Sequence, residues 1–468
     1  MTMLFKTAAR NILRNGRRSF MTGSAVAAGA MALMLFGGYA GYIFDALETS
    51  NVQRVGHLSL FRSGYFLFGS GNPAAYGIGD YRKVMDLVSN DPVIKPLVNV
   101  VTPTQSLMGI AGNFSGGNEA SKTFLGVGFV PSERNRMRLW DERHTGLVRP
   151  ADERLSDRDE SRGLVGVGLA RILALCAPLH LQCPEAPATR TDESASAKPR
   201  EDIVGLAQLE GQGAPKAGSD DLPHLDLLGA TVGGAPNVVS LAVAGAEAQG
   251  VRELDDNFIA MHLALAQQLV YGRGEHKATA IVLQLKRSED MPIVRARLAS
   301  LIDQNHLDLE IRDVKELSPF YVQVVAMFSS IFIFIAIMMG VIVLFAVVNT
   351  MTMNVMERTN EIGTIRAMGV RRGGVRLQFL VEGALVGAVG ATVGAILAFA
   401  VAALVNHTGL TWIPPGNSSP TPFRIDVIDH PLLVIGTWVA LTLVALWAAL
   451  IPANRAARLS IVDALRHV

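Results

Sequence analysis

The sequence has little charge and very little cysteine. Of its 468 residues, 18% are charged, 6% are aromatic and two are cysteine, whereas half are hydrophobic. This composition is too apolar for a wholly soluble enzyme. The formal net charge is only +1. Because binding to nucleic acid usually needs a clear basic excess, we predict no nucleic-acid partner.

Signatures of catalysis are also missing. The sequence has no G-x4-G-K-[ST] phosphate-binding motif, so it is not expected to hydrolyse ATP alone. Gly163, Gly166 and Gly168 are spaced like a nucleotide-binding loop, but no Lys-Ser/Thr pair follows them. The His, Ser and Asp residues show no spacing typical of a catalytic triad. We therefore predict a protein that is not an enzyme, with no catalytic residue, no metal site and no cofactor of its own.

The two cysteines are close together in the sequence. Cys176 and Cys183 enclose six residues, one of which is His180. In an oxidising compartment such a pair forms a small disulfide loop, worth at most ~2–3 kcal/mol. We predict this disulfide, with free thiols as the alternative. Two thiols and one imidazole are too few ligands for a closed metal site.

What the sequence does have is four long runs without charge: Phe20–Ile43, Phe328–Val348, Gly383–Val405 and Leu432–Ile451. Each is long enough to cross a hydrocarbon core of about 30 Å as a helix. The first run exceeds the ~7–15 residues of a cleaved signal peptide, so we predict an uncleaved anchor. Basic residues cluster before the first run, between the second and third, and after the fourth. By the positive-inside rule, both termini and the segment between spans two and three are cytoplasmic.

The cytoplasmic segment between spans two and three, Asn349 to Glu382, is amphipathic. Val355, Ile362 and Met368 belong to a series of apolar residues that recurs every three to four positions, which is typical of a surface helix. Gly369 follows, as a glycine often does after a helix C-terminus. Such a helix is either a docking element for a partner or a solvated connector that only fixes the topology.

This segment resembles the signature of the MacB/FtsX-like permeases, which include the lipoprotein-releasing LolC and LolE subunits. The ending Pro452 to Arg466 is similar to the closing motif of that family. The signature is carried by Asn349, Glu357, Arg358, Thr359, Glu361, Ile362, Gly363, Arg366, Ala367, Met368 and Gly369.

The resemblance implies that the segment is a coupling helix that sits on a separate ATP-hydrolysing subunit. Ile362, Ile365 and Met368 would be apolar contacts, and Glu361 and Arg366 polar ones. The resemblance further implies two copies of the ATPase, which would hold ATP and Mg²⁺, a second permease that is identical or different, and a possible periplasmic adaptor or lipoprotein. The predicted coupling residues are Glu357, Arg358, Glu361, Ile362, Ile365, Arg366 and Met368.

Two functions follow from this resemblance. The first is a permease of an ABC-type export or mechanotransmission complex in the bacterial inner membrane, which releases a lipoprotein, a lipid or another amphiphile. The second is an FtsX-like transducer that regulates a cell-wall hydrolase.

The polar region 45–317 has no spanning run and reads as mixed α/β. The resemblance implies a MacB-like periplasmic core with an insertion at about 131–224. We predict strands at Gly56–Phe61, Val98–Ala111, Thr123–Val130, Leu225–Val232, Val238–Ala244, Ala278–Leu285 and Glu310–Val314. We predict helices at Tyr81–Ser89, Leu164–Leu175, Asp255–Val270 and Met291–Gln304.

Two features of the spans carry further predictions. No helix breaker except Gly340 interrupts Pro319–Met356, which predicts one helix long enough to project beyond the membrane as a stalk. The third span carries two small-x-x-x-small pairs, which allow helices to approach closely in lipid. They form either a seam between two permeases or packing within one subunit. The four glycines are Gly383, Gly387, Gly390 and Gly394.

The predicted fold is therefore a membrane protein of four transmembrane α-helices with a large extracytoplasmic α/β domain between spans one and two. The predicted segments are an interfacial amphipathic helix (1–18), the first span (19–44), the periplasmic domain (45–317), the stalk and second span (318–349), the coupling helix (350–376), the third span (377–405), a periplasmic loop (406–430), the fourth span (431–452) and a cytoplasmic C-terminal helix (453–468).

Overall fold

The chain folds into two compact units. One is helical and comprises Met1–Asp45, Val322–Trp412 and Pro422–Val468; the other is an α/β unit of Ala46–Tyr321 and Ile413–Thr421. The helices predicted at 1–18 and 453–468 lie partly outside the described residues, and the segment 184–221 of the predicted insertion lies wholly outside them. The computed structural model describes residues 10, 11, 14, 16–69, 73–114, 120–147, 151–181, 222–272, 276–413 and 420–459.

The elements of the described residues are numbered here in chain order. The α-helices are α1 (Gly16–Val55), α2 (Tyr81–Asn90), α3 (Pro131–Arg138), α4 (Val167–Ile172), α5 (Arg252–Asp255), α6 (Leu263–Tyr271), α7 (Met291–Gln304), α8 (Val314–Leu317), α9 (Pro319–Glu357), α10 (Thr359–Ala367), α11 (Arg372–Thr408) and α12 (Pro431–Arg458). The strands are β1 (Leu58–Arg62), β2 (Val98–Asn113), β3 (Ala120–Phe129), β4 (Arg162–Gly166), β5 (His224–Ala230), β6 (Pro236–Glu247), β7 (Phe258–His262), β8 (Ala280–Leu285), β9 (Leu309–Asp313), β10 (Thr411–Trp412) and β11 (Thr421–Pro422).

Four of the described helices, α1, α9, α11 and α12, are long and apolar enough to cross a membrane. Each contains one of the four runs found in the sequence, so the prediction of four helices long and apolar enough to span a membrane is confirmed. Helix α9 has 39 residues and is continuous. At ~1.5 Å per residue it is about 58 Å long, nearly twice the thickness of a bilayer core. Helix α11 ends at Gly409, whose φ of 61° is a left-handed conformation that favours glycine.

The prediction that Pro452 ends the fourth span is wrong. Helix α12 continues through this proline to Arg458. A proline inside a helix removes one backbone hydrogen bond, but the following turns can be held by packing. Here Ala453 and Ala456 are completely buried, and they pack with Val355 and Phe379 in one apolar cluster. Packing of the last two turns therefore outweighs the missing hydrogen bond.

In the α/β unit, the first sheet is antiparallel with strand order β2-β8-β1-β9. Helices α2 and α7 pack on it through Val84, Val88, Val294 and Leu298, and all six residues of β8 are buried. The amphipathic pattern of Met291–Gln304 predicts α7 with the observed bounds.

The second half of β2 belongs to a closed ring of six strands in the order β2-β3-β7-β4-β6-β5, in which β5 returns to β2. The ring spans residues 105–262, which is longer than the insertion predicted at about 131–224. The difference arises because β6 and β7 hydrogen-bond to β4, a strand of the predicted insertion, and β3 in turn hydrogen-bonds to β7. Helices α4 and α6 contribute Leu169 and Leu269 to the same apolar core.

Two helices predicted in this region are partly wrong. The segment Leu164–Leu175 begins in strand β4, and its helix covers only Val167–Ile172. The segment predicted as a helix from Asp255 to Val270 contains strand β7 before α6 begins at Leu263. In both, short apolar runs fit either structure locally, and pairing with distant strands selects the extended one.

His57 connects β1 to the neighbouring elements from a buried position. Its Nδ1 accepts a hydrogen bond of 3.0 Å from the Leu285 amide, its Nε2 lies 3.2 Å from Ser288 Oγ, and its ring packs against Trp140. Burial lowers the pKa of His57 to about 4 from an ordinary value of 6.5. The imidazole is therefore neutral in the folded unit at neutral pH.

The low pKa of His57 predicts acid sensitivity. The unfolded chain takes up this proton first, so the stability that His57 contributes is fully present above pH 6.5 and is lost as pH falls towards about 4. We expect a loss of about 3 kcal/mol between pH 7 and pH 4. Denaturant unfolding of the purified chain against pH measures it, with His57→Asn as the non-titrating control. Equal pH slopes for the two proteins would contradict the prediction.

Candidate functional site

The candidate site is the reversal between α9 and α11, where α10 forms a short separate helix. Arg358 interrupts the preceding helix with φ and ψ of −105° and 17°. The Thr359 hydroxyl donates to the carbonyl oxygen of Val355, 3.1 Å away. Gly369 adopts a φ of 97°, which ends α10 and turns the chain towards α11. The end at Gly369 is as the sequence predicts, but the coupling helix predicted at 350–376 is shorter, because residues 350–357 belong to α9 and residues 372–376 to α11.

Arg358 does not lie on the surface of this reversal. It is 7% exposed, and its Nη1 lies 3.2 Å from an oxygen of Glu382, which is 2% exposed. Its Nε donates to Glu361 over 3.0 Å, and its guanidinium lies over the ring of Phe379. One cation therefore holds α10 and α11 together from inside the bundle.

Glu382 is buried rather than exposed to water. The side chain is enclosed by its own chain, because Asn11 donates to the same carboxylate oxygen over 2.7 Å and Arg358 supplies the opposite charge. A buried carboxylate without such partners would be strongly destabilising. Glu382 is thus the point where the N-terminal segment, the coupling segment and α11 meet.

The N-terminal segment also contacts α10 at its exposed edge. Arg14 lies 2.6 Å from Glu361, and Arg18 forms an ion pair with Glu357. Burial would raise the pKa of Glu361, but hydrogen bonds from Arg358 and Arg14 outweigh it and lower the pKa. Because the Glu357 and Glu361 side chains are about 40% exposed, these surface pairs stabilise α10 only weakly.

Ile362, predicted as a contact for the ATPase, faces inward. It is 4% exposed and packs with Val355, Val375, Phe379 and the last turns of α12. This packing leaves it out of reach of a partner that binds α10 as folded here. Ile362 is therefore assigned to the apolar core beneath α10.

The outward face of α10 is formed by other residues. Met368, one of the predicted contact residues, is 73% exposed, and Ile365 is half-buried. Met356 is 71% exposed, and Asn360 and Thr364 are exposed between the two methionines. We call Met356, Asn360, Thr364 and Met368 the methionine stripe. These four positions recur every fourth residue in the sequence; Met356 lies at the end of α9, Asn360 and Thr364 lie on α10, and Met368 follows α10 directly.

Arg366, the remaining predicted polar contact, turns back to its own chain. Its guanidinium donates to the carbonyl oxygen of Leu459, just after α12. Arg358 and Arg366 therefore fix α10 to α11 and to the end of α12. The predicted coupling set thus divides into internal anchors and a smaller outward face.

The four glycines of the third span pack within the chain. A Cβ placed on Gly383 or Gly387 would lie within 2.7 Å of Ala449 or Ala445 of α12. A Cβ placed on Gly390 or Gly394 would meet α1, at the Val26 side chain or the Ala27 carbonyl oxygen. This placement favours packing within one subunit over a seam between two permeases.

This packing predicts a large cost for a side chain at Gly394. Gly394→Leu is expected to destabilise the purified chain by ~1–3 kcal/mol or more, because the Ala27 backbone cannot move aside. Gly436→Leu is the matched control, since nothing lies within 4 Å of its Cβ position in α12. Thermal unfolding in one detergent compares the two. Equal melting of Gly394→Leu and the control, with loss only of a permease dimer, would restore the seam hypothesis.

Cys176 is disulfide-bonded, and no free cysteine occurs among the described residues. Cys176 lies in the turns after α4, whereas Cys183 lies outside the described residues. The pairing of Cys176 with Cys183 therefore stays a prediction.

The four long apolar helices fit a multi-pass membrane protein. The sequence model of the family described as FtsX-like permease C-terminal matches residues 331–461, from within α9 to the residues just after α12. This part of the chain is therefore an FtsX-like permease C-terminal domain, which confirms the family resemblance of the coupling segment.

Curated relatives named macrolide export ATP-binding/permease protein MacB are similar to parts of the chain. The protein of Neisseria meningitidis serogroup A / serotype 4A is 29% identical over 200 residues, covering 41% of this chain and 28% of the relative. That of Psychrobacter cryohalolentis is 38% identical over 119 residues, covering 25% and 16%. That of Brucella abortus is 31% identical over 141 residues, covering 30% and 22%. The chain thus spans less than a third of the length of these relatives.

Proposed function

We propose that this chain is the permease subunit of an ABC-type export or mechanotransmission complex, and that α10 docks a separate ATPase. The observation that supports this most is the two-sided construction of α10. Arg358 and Ile362 anchor it to the bundle, while the methionine stripe points away from the bundle. Flexible methionine side chains can keep contact with a partner that changes conformation during its ATPase cycle.

In this proposal ATP-driven closure of the ATPases pushes α10, and the chain's own residues pass the movement on. The Arg358–Glu382 pair would carry it to α11. Helix α9 would transmit the movement along its axis. It runs unbroken from Pro319, which directly follows α8 and Ser318 at the end of the α/β segment. A continuous helix is stiff enough to move as one body over this length.

The partners proposed are two copies of an ATPase that bind ATP and Mg²⁺, a second permease, and an adaptor or lipoprotein on the outer side. The cargo proposed is a lipoprotein, a lipid or another amphiphile. None of the runs Phe20–Ile43, Phe328–Val348, Gly383–Val405 and Leu432–Ile451 contains a charged residue. A pore lined by these runs would suit hydrophilic cargo poorly, which supports release from the membrane face.

We further propose that α10 faces the cytoplasm and the α/β unit the periplasm, since the arginines flank α10 and the N-terminal segment. The test is maleimide labelling of intact cells through an outer membrane made permeable, in a background without the native cysteines. Glu289→Cys, on an exposed part of the α/β unit, should react from outside, and Gly373→Cys should react only after lysis. The reverse pattern would invert the topology and exclude docking of a cytoplasmic ATPase.

The function itself is tested by purifying the tagged chain from native membranes. A separate subunit with a G-x4-G-K-[ST] motif should purify with it, and native mass spectrometry should show two copies of that subunit per complex. A chain that purifies intact without any ATPase, at every detergent used, would contradict the proposal.

A further inference from the structure

The α/β unit contains a cavity of about 350 Å³ between the four-stranded sheet and the closed ring. This volume lies within the range of small-molecule sites, ~300–1,000 Å³. Residues from β1, β2, β3, β8, α3 and the last turns of α1 line it. Its walls are mainly apolar and include Phe61, Val127, Phe129, Phe258 and Val282.

More basic than acidic side chains line this cavity. Arg54, Arg134 and Arg138 line it, against the single carboxylate of Glu247. Arg134 donates to Glu247 over 2.8 Å, and Arg138 lies 3.3 Å from the other oxygen of the same carboxylate. Two guanidinium groups therefore share one anion.

The neighbouring Asp152 does not restore the balance. It lies 3.8 Å from Arg138 but only 2.7 Å from Arg154, a further cation. The Arg154 guanidinium donates hydrogen bonds to both oxygens of the Asp152 carboxylate. Arg134 Nη1 and Arg138 Nε are buried and have no hydrogen-bond partner among the described residues. A buried donor without a partner costs about 1–3 kcal/mol. An anion in the cavity would remove that cost.

We infer that this cavity binds a small amphipathic anion, a single apolar chain that ends in a carboxylate or a phosphate. The head group would lie against Arg134 and Arg138, and the chain against the aromatic and aliphatic walls. A guanidinium binds either oxyanion in a bidentate manner. This site goes beyond the permease function proposed above and does not depend on it, because it uses no residue of the coupling segment.

Calorimetric titration tests this inference on the full chain in nanodiscs of zwitterionic lipid, with empty nanodiscs subtracted. The probes are octanoate, octyl phosphate and octyltrimethylammonium. One or both anions should bind saturably at one site, and whichever binds more tightly identifies the head group. Hexanoate should bind about 15-fold more weakly than octanoate, since each buried methylene contributes about fourfold. The cation should not bind.

Two variants locate the site. Arg138→Gln should weaken binding of the anion at least tenfold, whereas Arg158→Gln, an exposed arginine outside the cavity, should leave it unchanged. Val127→Trp should abolish binding by filling the cavity while the arginines stay in place. This variant tests the location of the site if Arg138→Gln fails to fold. Equal binding of anion and cation, no saturable binding by the wild-type chain, or wild-type binding by both variants would show that the arginines form only a structural network.

Discussion

Glu382→Ala is expected to destabilise the helical unit by about 3–5 kcal/mol, the usual cost of leaving one partner of a buried ion pair alone. Arg358 would then keep only Glu361, whose side chain is 44% exposed, and Asn11 would lose its acceptor. Because the same pair joins α10 to α11, the expected result includes a loosened coupling segment. Thermal unfolding and limited proteolysis after Arg366 of the purified chain measure both effects.

Two controls separate the buried pair from ordinary surface charge. Arg14→Ala removes the exposed ion pair between Arg14 and Glu361 of α10, and it should lower the stability by less than about 1 kcal/mol. Arg358→Met combined with Glu382→Leu removes both charges and should recover much of the lost stability. If Glu382→Ala melts like Arg14→Ala, the pair is not the anchor described here.

The sequence predicts that Ile362 contacts the ATPase, but its side chain is buried. Ile362→Asp places a carboxylate in the apolar cluster beneath α10, so it should lower the stability and the membrane level of the chain. It therefore cannot report on a partner interface alone. A substitution on the methionine stripe is the cleaner test.

The sequence predicts the spans and α10 well, because these features depend on local patterns. Long runs without charge give α9, α11 and α12, and the position of Gly369 gives the end of α10. The bounds of α7 follow in the same way from spacing along a single helix. Helix periodicity and helix ends are short-range properties of a sequence.

What the sequence does not predict is which way the charged and apolar residues of the coupling segment face. Arg358 and Glu382 are on different helices, and both read as surface residues at a membrane boundary. Only the fold of α10 back between α11 and α12 buries them and turns Ile362 inward. The closed ring is missed for the same reason, since Leu125 of β3 pairs with Phe258 of β7 far along the chain.

We propose that the methionine stripe on and beside α10 docks the ATPase, and Met368→Asp tests this most directly. Met368 is 73% exposed and is not one of the anchors Arg358, Ile362 and Arg366, so the variant should fold normally. Loss of an apolar residue at the centre of an interface typically costs about 2 kcal/mol or more, and an aspartate adds a desolvation cost. We therefore expect at least a 30-fold weaker complex with the ATPase.

The decisive measurement is the affinity of the purified ATPase for the chain in nanodiscs, compared for wild type, Met368→Asp and Leu67→Asp. Leu67 is an equally exposed apolar residue of the α/β unit and serves as the matched control. The account predicts that Met368→Asp loses the ATPase while Leu67→Asp binds it like the wild type. Normal ATPase binding by a folded Met368→Asp chain would contradict docking through this stripe.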